Sequence, residues 1–112
     1  MALRKPRNLA GGGGDVDVLQ YEILQEKAAV LARLGRKLQA ALDRLAEFDA
    51  AAPAGSGAEE RDALVAAAGE ALWYFVVQRE VLGIPDTEGM MRQLGVPREV
   101  RLRMGLNRRA SP

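Results

Sequence analysis

The chain has 112 residues, 48% of them apolar but drawn mostly from Ala, Leu and Val, with five aromatics, no Cys, no His and a formal net charge of +1. That length suits one domain that buries roughly two-thirds of its unfolded surface, and that composition favours helices over strands. Without Cys or His, this chain alone excludes disulfides, thiolate chemistry, imidazole-based catalysis and the usual zinc and di-iron ligand sets, so no metal or cofactor is expected.

The small net charge conceals a segregation: residues 1–14 carry +3, residues 15–91 carry −7 and residues 92–112 carry +5. Basic ends on an acidic middle suit an anionic partner or tails that lie on their own body. No apolar run reaches the roughly 18 residues of a membrane span. The longest, Ala63 to Val77, is broken by Gly69 and Glu70. Arg4, Lys5 and Arg7 have no apolar stretch behind them, so the amino terminus does not read as a secretory signal. A cytoplasmic protein without a membrane partner is expected.

In chain order, residues 1–14 read as a disordered basic tail, because the run Gly11 to Gly14 maximises backbone entropy. A long amphipathic helix over about 16–48 follows, with Asp15 or Asp17 as its N-cap. Leu24, Leu31, Leu38 and Leu45 are spaced by seven and form one line down it, flanked by Ala28, Gly35 and Leu42 on one side and Leu34, Ala41 and Phe48 on the other. The stripe is about three-sevenths of the circumference wide, which suits a packed bundle better than a coiled-coil seam. The leucine line is therefore expected to be intrachain core rather than a dimerising zipper. A rod of about 45–50 Å buries such a stripe only against a second helix of comparable length.

Pro53, Gly55 and Gly57 break the first helix and make the next one antiparallel. Ser56 and Glu59 have capping-box spacing, so the second helix is placed at about 58–82, ended by Gly83 in the left-handed conformation and by Pro85. Leu72 to Val77 would read as a strand by propensity alone, but no turn signal separates it from the helical residues on either side. At 100° per residue, Leu64, Val65, Ala68, Leu72, Phe75, Val76 and Leu82 share the face that meets the first helix. The opposite face carries Trp73, Tyr74, Val77 and Val81, too apolar for solvent, and is the candidate self-interface. The short carboxy-terminal helices are the other possible lid, through Ile84, Met90, Met91, Leu94, Val100 and Met104. Arg79 projects onto the core face and needs a carboxylate; in an antiparallel hairpin Glu22 or Glu26, from either subunit, is the candidate. The alternative is that the helix end is simply open to water.

Two Gly-apolar-Pro steps, Gly83-Ile84-Pro85 and Gly95-Val96-Pro97, delimit short helices at about 88–94 and 97–104, with 106–112 a tail. Arg92, Arg98, Arg101, Arg103, Arg108 and Arg109 make this end a candidate anion contact, and phosphate binding of nucleic acid is its functional reading. The local fit to a helix-turn-helix is poor, since Arg101 stands where that motif needs an apolar residue. Arginine outnumbers lysine thirteen to three over the whole chain, so the cluster also reads as compositional bias. The hydroxyls of Ser56, Thr87 and Ser111 have no imidazole to activate them, and the glycine run lacks the Lys-Ser/Thr of a phosphate loop. No enzymatic activity is expected.

The block Asp17-Val18-Leu19-Gln20-Tyr21-Glu22-Ile23, with Glu26-Lys27-Ala28 and Leu34-Gly35-Arg36-Lys37-Leu38, resembles the opening of a small bacterial all-helical family of unassigned function. The segment Trp73 to Gly83, containing Val77-Gln78-Arg79-Glu80, is similar to its second helix. The likeness covers residues 15–105 and implies a fold but no activity. The residues together predict an all-α single domain over 15–105, an antiparallel hairpin of two long helices plus two short ones, pairing as a homodimer into a four-helix bundle. The expected role is a non-enzymatic interaction or structural protein, for itself or for another protein partner. The alternative is a small nucleic-acid-binding protein.

Overall fold

The computed structural model describes residues 12–52 and 54–105, with side chains from Asp15 onward. Among these residues there are four helices and no strand: α1 is Gly12–Ala51, α2 Ala58–Val81, α3 Thr87–Leu94 and α4 Arg98–Arg103. Residues 1–11 of the tail expected over 1–14, and the tail expected over 106–112, lie outside the described residues. By its internal contacts the chain divides into two units, Met1–Val30 and Leu31–Pro112.

In the first unit α1 begins at Gly12, inside the glycine run assigned to the tail, and Asp15 falls in its first turn rather than at its cap. Extending an existing helix by a turn costs far less than nucleating one, so glycines are tolerated at its end. Every residue from Asp15 to Ala29 is exposed. The expectation that the whole leucine line is buried therefore fails at Leu24, which is 60% exposed. The cause is length: α2 has 24 residues against 40 in α1.

The second unit holds the core. Leu38, Ala41, Leu42 and Leu45 of α1 pack with Val65, Ala68, Leu72 and Val76 of α2, and Met90, Met91 and Val100 from α3 and α4 complete the cluster. These are the faces that the seven-residue spacing and the projection of α2 specify. Gly35 lets α2 come close, since a Cβ there would lie 3.2 Å from the Phe75 ring. At Gly69 the approach is tighter, and a Cβ would stand 2.9 Å from Cβ of Arg103 and 3.1 Å from its carbonyl. α4 thus sits directly on the α2 backbone.

The N-cap of α2 is Gly57, at φ 69°, one residue after Ser56, where the capping-box spacing places it. A Cβ on Gly57 would meet the Phe48 ring at 2.7 Å, so close passage of the chain over Phe48 selects glycine here. Glu59 and Glu60 occupy the first turn, where their charge complements the dipole. α2 ends at Leu82 and Gly83 is left-handed, with Ile84 N–H donating to the Arg79 carbonyl at 2.9 Å in a Schellman arrangement. α3 ends the same way, at Gly95, with Val96 N–H donating to the Met91 carbonyl. Its start is capped by the Asp86 carboxylate, which accepts from Gly89 N–H at 2.9 Å. Pro97 is the N-cap of α4 rather than its first helical residue.

Candidate interaction surfaces

The end of α1, the start of α2 and the start of α4 meet at one guanidinium. Arg61 donates through Nε and Nη2 to the two Asp49 oxygens at 2.7 and 3.1 Å, and through Nη1 and Nη2 to those of Glu99 at 2.7 and 3.1 Å. Paired bidentate contacts of this planar fork fix geometry as well as charge. The hydrogen bonds from Arg61, and then its charge, hold the Asp49 and Glu99 carboxyls below their ordinary values of 3.8 and 4.5, and the two carboxylates raise Arg61 in turn. Depressed carboxyls bind fewer protons in the folded state, so their contribution is complete above the ordinary values and is lost as pH falls through the lowered ones. The melting temperature of the wild type is accordingly expected to drop more steeply between pH 5 and pH 3 than that of Glu99→Gln. Equal slopes by circular dichroism would show that the clamp does not contribute.

The same chemistry disposes of two arginines in the candidate anion site. Arg101 pairs with Glu88 of α3, and Arg103 pairs with Asp62 of α2 at 2.8 Å. Arg92 and Arg98 are exposed, while Arg108 and Arg109 lie outside the described residues. Sequence reasoning gave these side chains to a ligand because α4's docking on α2 and α3, which supplies the carboxylates, rests on contacts distant along the chain. An open cleft of about 780 Å³ is lined by residues of α2, α3 and α4, among them the apolar Val76, Met91 and Met104 and the charged Glu80, Arg98 and Arg101.

Arg79 is half-buried. It donates through Nη2 to the Pro85 carbonyl at 2.7 Å, and its guanidinium lies 5.9 Å from the centre of the Phe75 ring. Its Nε is buried and has no hydrogen-bond partner among the described residues. The candidate carboxylates Glu22 and Glu26 are exposed. On the outer face of α2, Trp73 and Val77 are half-buried, and Gly105 after α4 lies against the Trp73 ring, where a Cβ would sit at 3.3 Å. Tyr74 and Val81 are 40% and 61% exposed. The carboxy-terminal segment therefore takes one edge of the candidate self-interface, and Met90, Met91 and Val100 enter the core.

Most of the exposed large apolar side chains among the described residues lie where the periodicity does not single them out, in the first half of α1. Val16, Val18, Leu19, Tyr21, Ile23 and Leu24 are each 45% exposed or more. The signal was present in the spacing of Val16, Ile23 and Val30 by seven, but the longer leucine line masked it. Among the described residues no helix is long and apolar enough to cross a membrane, and no group of three or more carboxylates converges as a metal site.

The chain belongs to a family of unknown function (DUF6665), the match running over residues 6–111. No curated protein and no solved structure matches it.

Proposed function

We propose that this family member is a non-enzymatic helical interaction module that works as a homodimer. The observation that carries the reading is the amount of large apolar side chain left in solvent, concentrated at Val16–Leu24 of α1 and at Tyr74 and Val81 of α2. Large apolar side chains left in solvent in such numbers mark a place of association, and two-fold pairing lets one patch cover its own copy. The alternative, nucleic-acid binding by the Arg-rich end, is weakened by the carboxylates that hold Arg101 and Arg103. The test is the mass in solution by light scattering over a dilution series. Twice the 12.1 kDa chain mass is expected, falling at the lowest concentrations. A mass of 12.1 kDa at every concentration would overturn the dimer.

A further inference from the structure

We infer that the first half of α1 is the self-interface, and that two copies of it pair antiparallel. The inference rests on the homodimer reading and specifies which surface forms the seam. At 100° per residue Val16, Leu19, Ile23 and Val30 fall within a 60° arc. Their spacing of three and four is that of a two-helix seam, with Glu26 at the seam position between Ile23 and Val30. Val16, Leu19 and Ile23 are 54%, 59% and 45% exposed, and Leu24 at its edge is 60% exposed. By contrast, the outer face of α2 has lost Trp73 in part to Gly105. Pairing two such stretches hides on the order of 1,000 Å², the low end for a specific interface, so the dimer should dissociate on dilution.

Charge fixes both the occupant and its direction. Along α1, Asp15, Asp17, Glu22 and Glu26 come first, and Lys27, Arg33, Arg36 and Lys37 follow, all of them exposed. Parallel copies set acid against acid. Antiparallel copies with Leu19 opposite Val30 set the acidic stretch of each beside the basic stretch of the other, the arrangement that complementary potentials favour. An anionic membrane surface is the poorer occupant, because amphipathic helices that lie on lipid carry Lys and Arg on the polar face, whereas residues 15–26 carry four acids and no base.

The absence of cysteine gives a clean test. Leu19→Cys mixed with Val30→Cys is expected to form a disulfide-linked dimer on mild oxidation, while neither variant links to itself. In the antiparallel register two copies of Leu19 are about 16 Å apart along the axis, beyond the roughly 7 Å between Cα atoms that a disulfide spans. Each variant linking efficiently to itself would mean parallel copies and overturn the inference. By light scattering, Ile23→Glu is expected to weaken the dimer on the order of a hundredfold, and Tyr74→Glu to leave it intact. Both substitutions are at exposed positions, so unchanged thermal unfolding serves as the control for folding. A dimer that survives Ile23→Glu but is lost with Tyr74→Glu would place the seam on α2, overturning this inference while the homodimer stands. A monomeric wild type would overturn both.

Discussion

Leu72→Ala is expected to destabilise the protein by about 2–5 kcal/mol, the range for truncating a fully buried leucine. Leu72 is 0% exposed and belongs to the cluster in which α1, α2, α3 and α4 all take part. No element can close over the void without leaving another. Alanine is a slightly better helix former than leucine, so propensity opposes the loss and the measured change is a lower bound on the packing lost. Against a total of about 5–15 kcal/mol for a domain of this size, the effect is large. Urea unfolding should show a lower midpoint with an unchanged slope. A change below about 1 kcal/mol would mean that α3 and α4 are not held by this core.

The second large effect is expected at a position where simple propensity gives the opposite sign. A glycine inside a helix is about 1 kcal/mol less favourable than alanine, yet Gly69→Ala should destabilise and Gly69→Leu should do so by about 1–3 kcal/mol or more. The added Cβ meets Cβ of Arg103 at 2.9 Å and its carbonyl at 3.1 Å, and that backbone cannot yield without α4 moving. Gly35→Ala is the control. There the new atom stands 3.2 Å from the edge of the Phe75 ring, which can tilt by a few tenths of an ångström, so the substitution should be close to neutral. If the two alanine variants melt at the same temperature, the close approach of α4 to α2 is not a determinant of stability.

The parts of the fold legible in the sequence are those that rest on local periodicity and on single residues with one permitted conformation. The spacing of Leu38, Ala41, Leu42 and Leu45 marks the buried side of α1, and Gly83 and Gly95 mark helix ends because only glycine takes their positive φ without strain. What the sequence hid depends on distance along the chain. The N-cap of α2 falls at Gly57 because the Phe48 ring, packed there by the fold, leaves no room for a Cβ, and the spacing of Ser56 and Glu59 does not register that ring. Arg101 and Arg103 look available because Glu88 and Asp62 are brought to them by docking of α4. Leu24 continues the core line in sequence, but burial needs a facing helix and periodicity does not measure that helix's length.

α4 has six residues, and a peptide of that length has no stable helix in water. Its order is borrowed from Val100 in the core, from the backbone contact at Gly69 and from the ion pairs at Glu99, Arg101 and Arg103. There is consequently no detached but intact form of this element. It cannot swing away as a rigid lever, because leaving the body and losing its helix are a single event. Whatever exposes the α2 surface beneath it does so by an order-to-disorder transition, and the cleft it borders exists only while that segment is folded.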